Sequence, residues 1–448
     1  MEKKKNIVVL GGGESGVGAA VLAKKKGFNV FLTDKGKIKD KYKRVLKHFE
    51  IDFEEQKHSL QIVNAADEII ISPGIPREIK MVKNLLEKGV SVISEIEFAK
   101  RFTKAKIIAI TGSNGKTTTT LLTHHILKKA GLNVGLGGNV GFSFAMQVAQ
   151  NNYDYYVLEL SSFQLDSMFS FKADIAILLN ITPDHLDRYE YKFENYAKSK
   201  FRIVRNQTKN DAFIYNADDK TVGNMMKSQN IKSKLIPISL MDMNYEEGAF
   251  LKGNSININS NKYQLKMTLE QLALQGRHNT YNSMAAGVAA KLLDIRNETV
   301  KQSMSDFQNI AHRLEYVSSV HGITFINDSK ATNVNSTWYA LEHYDRKIIW
   351  IAGGVDKGND YELLKPLVKQ KVKAIVCLGL DNSKIHREFG DSVDLIIDTE
   401  SAEEAVANAY QLAKKGEIVL LSPACASFDL FDSFEDRGDQ FKEAVNKL

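Results

Sequence analysis

A glycine-rich loop with a lysine and two threonines is the feature of this sequence best suited to chemistry. Residues 109–118 read Ala-Ile-Thr-Gly-Ser-Asn-Gly-Lys-Thr-Thr, between a strand-like run and a helix predicted to begin at Thr119. In such a turn backbone N–H groups surround phosphate oxygens, the lysine reaches the terminal phosphates and a threonine hydroxyl ligates Mg²⁺. The loop departs from the general P-loop pattern, because Ile110 stands where the first glycine would be. The predicted phosphate-binding residues are Gly112, Ser113, Asn114, Gly115, Lys116, Thr117 and Thr118.

A second glycine-rich turn lies near the N-terminus. Residues 11–16 read Gly-Gly-Gly-Glu-Ser-Gly, follow a short apolar run, and precede Asp34 at the end of the next predicted strand. This pattern is typical of a dinucleotide site in which the acid binds a ribose hydroxyl. A nucleotide-sugar diphosphate would satisfy the same turn, and a purely structural glycine turn also stays open. The lysine-bearing loop argues against an NAD-dependent oxidoreductase, which has no use for a triphosphate site.

Three further side chains lie where a phosphate site needs them. Glu159 ends an apolar run, where Mg²⁺ could find a hard oxygen ligand. His185 follows the next apolar run, and the carboxyl ends of strands are where sites of α/β proteins collect. A hydrogen-bonded structural role for His185 remains open. Lys200 lies in a basic stretch predicted to be helical, and composition alone indicates a surface lysine.

The elements that must position these residues alternate between strand-like runs and helical stretches, which is typical of parallel α/β domains. The series begins afresh at residues 7–10, 106–110 and 323–326. We therefore predict an α/β protein with a Rossmann-like N-terminal domain, a P-loop mononucleotide-binding central domain and a Rossmann-like C-terminal domain. The predicted domains are residues 1–95, 96–310 and 311–448. Residues 235–268, rich in Asn, Ser and Met, are interpreted as a small β insertion in the central domain.

Composition excludes several classes of protein. The 448 residues are 43% hydrophobic and 25% charged, as expected of a globular protein of about three domains. The net charge of +6 is scattered, which argues against a nucleic-acid partner. No apolar run approaches the ~20 residues of a membrane span and no signal peptide is apparent, so we expect a cytoplasmic protein without a membrane partner. The two cysteines, Cys377 and Cys425, cannot form a disulfide framework, and Cys425 is expected to be a buried small residue rather than a nucleophile.

Several segments together resemble a known family. The segments similar to the central domain of the Mur ligases are residues 111–118, Glu159, residues 180–187 (Asn-Ile-Thr-Pro-Asp-His-Leu-Asp) and Lys200. The resemblance covers essentially the whole chain. It narrows, at residues 326–333 and 421–438, to the members that add D-glutamate. The Asp-Asn-Pro-Arg motif of the members that add a diamino acid is absent.

The resemblance implies an activity and its participants. The chain would be an ATP-dependent ligase that joins D-glutamate to UDP-N-acetylmuramoyl-L-alanine through an acyl phosphate, in peptidoglycan synthesis. It would use ATP and two Mg²⁺ ions and act as a monomer. The N-terminal domain would bind the UDP precursor, the central domain ATP, and the C-terminal domain the amino acid.

The resemblance also implies roles for individual residues. The catalytic residues would be Lys116, Glu159, His185 and Lys200. The metal ligands would be Thr117, Glu159, His185 and a carbamylated Lys200. Beyond the loop, ATP would contact Asn279, Asn282, Arg313, Asp328 and Lys330. The UDP substrate would contact Ser15, Asp34, Gly74, Asn139 and His185. D-glutamate would contact Thr332, Lys357, Ser427 and Phe428. Carbamylation needs a neutral amine, which like-charge repulsion from Lys198 and Arg202 would favour.

Alternatives remain open at this point. Asn139 could be a turn residue, because asparagine tolerates left-handed backbone geometry between glycines. Lys330 and Asp328 could form a surface ion pair worth under ~1 kcal/mol. The rival functions are a related ligase for another amino acid, a folate polyglutamate ligase, an NAD-dependent oxidoreductase and a non-catalytic nucleotide sensor. The segments at 326–333 and 421–438 argue against the first two, and the set of Lys116, Glu159, His185 and Lys200 argues against the sensor.

Overall fold

The computed structural model describes residues 4–260, 263–307 and 311–448. The chain divides into two compact units, a first unit drawn from Met1–Ile181 and Lys192–Phe307 and a second unit drawn from Thr182–Tyr191 and Gln308–Leu448. In the described ranges, no helix has both the length and the apolar character needed to cross a membrane. The predicted domain boundary between residues 310 and 311 lies next to residues 308–310, which are outside the described residues. This boundary and the one predicted between residues 95 and 96 both remain predictions.

The first unit contains two β-sheets, and the N-terminal one is a parallel sheet of five short strands. Its strands are β1 (Asn6–Leu10), β2 (Asn29–Thr33), β3 (Asp52–Glu54), β4 (Glu68–Ile71) and β5 (Ser91–Ser94). Its helices are α1 (Glu14–Lys25), α2 (Asp40–His48), α3 (Leu60–Asn64), α4 (Lys80–Glu87) and α5 (Glu95–Lys100). The strand order is β3-β2-β1-β4-β5. The order reverses between β1 and β4, so the crevice at the carboxyl ends of these two strands is where a ligand is expected.

Helix α1 approaches its neighbours closely because two of its buried residues are glycines. A Cβ on Gly16 would lie 1.9 Å from the Gly11 carbonyl oxygen, and one on Gly18 would lie 2.0 Å from Ser143 Oγ. The same Ser143 hydroxyl donates to the buried carboxylate of Glu95 over 2.7 Å. Burial raises the pKa of Glu95 to about 7. Within the first unit, α1 is therefore held against the helix that Ser143 caps.

The second sheet of the first unit has nine strands. They are β6 (Lys106–Thr111), β7 (Val134–Gly138), β8 (Tyr155–Glu159), β9 (Ile175–Leu178), β10 (Ala212–Asn216), β11 (Lys234–Ser239), β12 (Gly248–Lys252), β13 (Ser255–Ser260) and β14 (Tyr263–Thr268). Its helices are α6 (Lys116–Lys129), α7 (Phe144–Gln150), α8 (Ser162–Asp166), α9 (Phe193–Phe201), α10 (Lys220–Lys227), α11 (Arg277–Leu292) and α12 (Asn297–Ser305). The order is β14-β13-β12-β11-β10-β9-β6-β8-β7. Strand β6, which leads into the phosphate loop, therefore lies between β8 and β9.

The region predicted as a β insertion is a continuation of this sheet. Strand β11 pairs in parallel with β10 as part of the main sheet, and β12, β13 and β14 extend its edge, the last two as antiparallel partners. The structure adds a strand that the sequence analysis missed, β7, whose sequence Val-Gly-Leu-Gly-Gly has low strand propensity. Glycine is required there, because a Cβ on Gly135 would lie 2.6 Å from the ring of Tyr156.

The second unit is built around a six-stranded sheet. Its strands are β15 (Glu315–Val320), β16 (Ile323–Asn327), β17 (Ile348–Gly353), β18 (Val372–Leu378), β19 (Ile396–Thr399) and β20 (Ile418–Ala424). Its helices are α13 (Val334–His343), α14 (Lys365–Lys371), α15 (Ser383–Phe389), α16 (Ala402–Leu412) and α17 (Phe434–Asn446). The order is β15-β16-β20-β17-β18-β19, parallel except for the β15–β16 hairpin. The third series of strands thus begins one strand earlier than predicted, because β15 is half-exposed and lacks a continuous apolar run.

We expect Gly18→Ala to destabilise the first unit. The added Cβ would overlap Ser143 Oγ, and forcing a methyl group into close packing costs about 1–3 kcal/mol. The matched control is Gly223→Ala in α10, where a Cβ meets nothing within 4 Å and alanine favours the helix by roughly 0.5–1 kcal/mol. Thermal unfolding of both variants checks this. Equal melting temperatures for the two would contradict the packing argument.

Candidate functional site

The phosphate loop is held in place by contacts to the segment that follows β9 and to helix α9. Asn114 N–H donates to Asn180 Oδ1 over 2.8 Å, and Asn180 Nδ2 donates back to the Asn114 carbonyl oxygen over 3.0 Å. Ser113 Oγ lies 3.1 Å from the hydroxyl of Tyr196. Gly115, with φ of +84°, caps the N-terminus of α6. The helix therefore begins at Lys116, three residues before the predicted start, because the left-handed glycine turns the chain directly into it.

Two lysines converge on one carbonyl group of this loop. Lys116 Nζ donates to the carbonyl oxygens of Gly112 and Ser113, each over 2.8 Å, and Lys200 Nζ donates to Gly112 over 2.7 Å. Lys200 lies on α9 as predicted, yet it is 1% exposed, so the expectation of a surface lysine is wrong. Its ammonium also lies 4.6 Å from the centroid of the Tyr196 ring. Positive charge is thus concentrated where phosphate oxygens would be bound.

Lys198 and Arg202, which were predicted to act on Lys200 by like-charge repulsion, each have other partners. Lys198 Nζ pairs with Glu194 at 2.7 Å on the exposed side of α9. Arg202 is directed to the carbonyl oxygens of Leu165 and Met168. Lys200 is itself buried, which penalises the charged form of a lysine, and its carbamylation remains a prediction.

One carboxyl oxygen of Glu159 is buried and has no hydrogen-bond partner in the described part of the chain. Its side chain is 2% exposed, Oε1 accepts a hydrogen bond from Asn139 Nδ2 over 2.8 Å, and Oε2 has no hydrogen-bond partner among the described residues. A buried unpaired carboxylate oxygen is costly unless a cation or donor satisfies it. Thr117 is also buried at the start of α6. A carboxylate and a hydroxyl are hard oxygen ligands, so these residues fit one Mg²⁺ ion.

Asn139 is fixed by Glu159 rather than by a left-handed turn. Its N–H donates to the Glu159 carbonyl oxygen over 2.9 Å, and the positive φ values of this turn belong to Gly138 and Gly141. The alternative that Asn139 supplies the left-handed residue is therefore wrong. Its proposed contact with the UDP substrate stays a prediction.

Two asparagines predicted to bind ATP lie against the base of the loop. Asn282 is buried, and its Oδ1 accepts a hydrogen bond from Thr119 over 3.2 Å. A Cβ on Gly115 would lie 2.3 Å from this oxygen, so the loop tolerates only glycine there. Asn282 Nδ2 donates to Asn279 Oδ1 over 3.1 Å. Helix α11 thus brings both asparagines beside α6, and their contact with ATP remains a prediction.

The N-terminal glycine turn is organised by Asp34. Its Oδ2 accepts the Gly12 N–H over 2.5 Å and its Oδ1 accepts the Gly36 N–H over 2.7 Å. Ser15 is half-buried in the first turn of α1, and Gly74 is exposed just after β4. These residues lie at the carboxyl ends of β1, β2 and β4, around the crevice where the strand order reverses. The position agrees with a diphosphate site, and the individual contacts with a substrate remain predictions.

His185 belongs to the second unit, because residues Thr182–Tyr191 group with it. It has φ of +53° and its Nε2 lies 3.7 Å from Asp184 Oδ2. A non-glycine residue held in the left-handed region stores strain, which persists where surrounding structure enforces it. The role of His185 as a metal ligand beside Glu159 and Lys200 remains a prediction.

Asp328 is a buried acid in the second unit. Its side chain accepts hydrogen bonds from Ser422 Oγ over 2.8 Å and from Leu314 N–H over 3.2 Å. Burial raises the pKa of Asp328 to about 7, against the opposing charge of Arg313. The alternative that Asp328 forms a surface ion pair with Lys330 is wrong, because Asp328 is buried and only 5% exposed. Lys330 Nζ lies 5.0 Å from the centroid of the Phe434 ring.

The residues predicted to bind D-glutamate follow three adjacent strands of the second unit. Thr332 comes after β16, Lys357 after β17, and Ser427 and Phe428 after β20. The loops are joined by backbone hydrogen bonds, from Ala424 N–H to the Ala331 carbonyl and from Val355 N–H to the Ala426 carbonyl, each 2.9 Å. Ser427 is buried, whereas the Phe428 ring is 75% exposed. Cys425 is buried as predicted.

Arg437 lies in the segment 421–438, which carries part of the family resemblance, but no role was predicted for it. It is 1% exposed, and its guanidinium donates to Ser329 Oγ and the Ser329 carbonyl over 2.9 Å and to the Cys425 carbonyl over 3.3 Å. Burial lowers the pKa of Arg437 to about 10, so it stays protonated at neutral pH. One buried cation thus ties the loop after β16 to the loop after β20. The signal that could have found it is an arginine that directly follows two acids, Glu435 and Asp436, within that segment.

Comparisons with known proteins agree with this geometry. Residues 110–290 match the Mur ligase middle domain, residues 312–425 the Mur ligase glutamate ligase domain, and residues 6–81 the MurD N-terminal domain. The chain is 56% identical to the UDP-N-acetylmuramoylalanine--D-glutamate ligase of Christiangramia forsetii, covering 99% of this chain and 100% of that protein. It is 54% identical to the protein of the same name from Bacteroides fragilis strain YCH46, with 99% and 100% covered.

Solved structures resemble the fold at lower sequence identity. A pseudomurein peptide ligase type C from Methanothermus fervidus matches with a TM-score of 0.63 at 20% identity, covering 99% of this chain and 100% of that one. The UDP-N-acetylmuramate-alanine ligase of Thermotoga maritima matches with a TM-score of 0.62 at 16% identity, with 99% and 100% covered. At these identities the likeness concerns the fold.

We expect Arg437→Lys to destabilise the second unit by about 3 kcal/mol. A single ammonium cannot reach the acceptors that the guanidinium fork serves, and buried carbonyl groups left unpaired cost roughly 1–3 kcal/mol each. The matched control is Arg346→Lys, since Arg346 is exposed and a surface change stays within about 0.5 kcal/mol. Denaturant unfolding of both variants checks this. A wild-type midpoint for Arg437→Lys would show that the guanidinium geometry is dispensable.

Proposed function

Because the chain belongs to the Mur ligase family, we propose that it joins D-glutamate to UDP-N-acetylmuramoyl-L-alanine with ATP as the energy source, in peptidoglycan synthesis. The observation that carries this proposal is the presence of two glycine-rich turns in the first unit, one between β1 and α1 and one between β6 and α6. A ligase that activates a UDP-linked carboxylate with ATP needs both. The full-length similarity to proteins named as D-glutamate ligases supports the choice of amino acid.

The first step is the transfer of a phosphoryl group to the substrate. The alanyl carboxylate attacks the γ-phosphorus of ATP, the bond to the β-phosphate oxygen breaks, and ADP leaves. The loop N–H groups and Lys116 bind phosphate oxygens whose negative charge shifts during transfer. Lys116 must release the Gly112 and Ser113 carbonyl groups to do so. Asn279 and Asn282 are proposed to bind the nucleotide beside α6.

Magnesium is proposed to be held by buried oxygen ligands beside the phosphate loop. Glu159 Oε2, which has no hydrogen-bond partner in the described part of the chain, and the hydroxyl of the buried Thr117 fit one ion, which would screen phosphate charge when bound. The unmodified Lys200 ammonium is a cation and cannot ligate a second ion. A carbamate on Lys200, formed from its neutral amine and CO₂ with loss of a proton, would turn it into an anionic oxygen ligand. His185 is proposed to share that second site.

The second step forms the amide bond. The neutral amine of D-glutamate attacks the acyl-phosphate carbon, giving a tetrahedral intermediate that expels inorganic phosphate. Thr332, Lys357, Ser427 and Phe428 are proposed to hold the amino acid. Arg437 contacts both the loop after β16, which carries Thr332, and the loop after β20, which carries Ser427 and Phe428. The relative positions of these two loops therefore depend on Arg437. We further propose that the chain acts as a cytoplasmic monomer without nucleic-acid or membrane partners.

The proposed reaction is tested by phosphate release from ATP with Mg²⁺ and UDP-N-acetylmuramoyl-L-alanine. The amino acids compared are D-glutamate, L-glutamate, L-alanine and L-lysine, with a reaction lacking amino acid as the blank. We expect release with D-glutamate alone. Release with another amino acid would keep the ligase chemistry and overturn the substrate. No release from a folded protein that binds ATP would favour a nucleotide sensor, and NAD binding would revive the oxidoreductase.

The carbamate on Lys200 has its own test. Wild-type protein in ¹³C-bicarbonate should show a protein-bound carbamate carbon by NMR, and Lys200→Met should lose both this signal and activity by about 100-fold, since a metal ligand is removed. The matched control is Lys291→Met, a second buried lysine, whose Nζ donates to the Ile295 carbonyl over 2.6 Å. The control should retain the carbamate signal. An active wild-type enzyme without any such signal would refute the modification.

A further inference from the structure

A cysteine, a histidine and an aspartate meet in the second unit, at strands β18 and β19 and helix α15. Cys377 on β18 and Asp398 on β19 are register partners of parallel strands, so their side chains lie side by side. His386 on α15 lies over them, with its Nε2 3.0 Å from both carboxylate oxygens of Asp398. The Cys377 sulfur, an Asp398 oxygen and a His386 ring nitrogen all lie within 4.8 Å of one another. We propose that Cys377, His386 and Asp398 form a binding site for a divalent transition cation such as Zn²⁺.

The donor set fits zinc in particular. Thiolate, imidazole and carboxylate are its usual protein ligands, and three of them with a solvent molecule complete a tetrahedron. Softer sulfur and nitrogen donors disfavour Mg²⁺ and Ca²⁺, which take oxygen ligands. Binding displaces the thiol proton of Cys377 to solvent. The thiolate and the Asp398 carboxylate then balance the charge of the ion.

The surroundings leave room for entry and for a fourth ligand. A cavity of about 600 Å³ is lined by His386, Asp398 and the acids Glu400 and Glu404. Asn382 lines the same cavity, is 9% exposed, and has an Oδ1 without a hydrogen-bond partner in the described part of the chain. The cavity therefore opens His386 and Asp398 to solvent, while Cys377 is buried beneath them and does not line it.

The movement needed for binding is small. Ligand atoms around one tetrahedral zinc lie about 3.5 Å apart, given metal–ligand bonds of roughly 2.0–2.3 Å. His386 and Asp398 have side chains 43% and 58% exposed, so they can rotate toward the buried sulfur. The ion would then fasten α15 and the edge strand β19 to β18. Binding to the folded state alone stabilises it by mass action.

The competing explanation is a surface His386–Asp398 pair above an ordinary core cysteine. Co²⁺ distinguishes the two, because a cobalt–thiolate bond gives a charge-transfer absorption band that oxygen and nitrogen sites cannot give. The full-length protein, reduced and freed of metal by a chelator, is titrated with Co²⁺ and then with Zn²⁺. We expect one Co²⁺ per chain with a thiolate band, and bleaching of that band by Zn²⁺.

Matched variants locate the site. Cys377→Ser should abolish the band and His386→Gln should weaken Co²⁺ binding at least tenfold, while Cys425→Ala and His321→Gln should keep it. Because the sequence has two cysteines, Cys425→Ala leaves Cys377 as the single thiol. Zn²⁺ should raise the melting temperature of the wild type and not of His386→Gln. Because the His386 side chain is 43% exposed, this variant should fold as the wild type does. A wild type without a thiolate band, or a band that survives Cys377→Ser, would overturn the proposal.

Discussion

Parallel strands present their following loops at one edge of a sheet, and every part of the candidate site depends on this constraint. In the second sheet, β8, β6 and β9 lie side by side, so Glu159, the phosphate loop and Asn180 emerge next to one another. In the first sheet the same rule places the glycine turn after β1 beside the segment after β4. In the second unit it gathers the loops after β16, β20 and β17. Residues far apart in sequence become neighbours because their strands are neighbours.

Buried charge is the second theme of the structure. Lys200 and Arg437 are each about 1% exposed; Lys200 donates to a carbonyl oxygen, and Arg437 donates to hydroxyl and carbonyl oxygens. Burying a cation is costly unless several such acceptors replace water. The acceptors here belong to loops at the carboxyl ends of strands, so each cation fixes loop geometry as it satisfies its own donors. Glu159 shows the converse, a buried acidic side chain whose Oε2 has no hydrogen-bond partner in the part of the chain that the structure describes.

The same loops require glycine at two positions because a side chain there would clash with neighbouring atoms. At Gly115 a side chain would strike Asn282, and at Gly138 a Cβ would lie 2.2 Å from the Glu159 carbonyl oxygen. Both residues also hold positive φ values that other residues rarely adopt. The close approach of β7 to β8 and of α11 to the phosphate loop therefore requires these two positions to be glycine. Tolerance of substitution there is limited by sterics before any question of catalysis.

The amino-acid sequence by itself determined the local features of this protein. Apolar runs at residues 7–10, 106–110 and 323–326 predicted strands, and the glycines and lysine of residues 112–118 predicted the phosphate loop, because strand periodicity and turn chemistry are local properties. The family resemblance added residue roles that no local pattern contains. Long-range properties required the tertiary structure: the burial of Lys200, the unpaired oxygen of Glu159, and the role of Arg437. Each depends on which distant segments pack around the side chain, and that is decided only when the strands assemble into sheets.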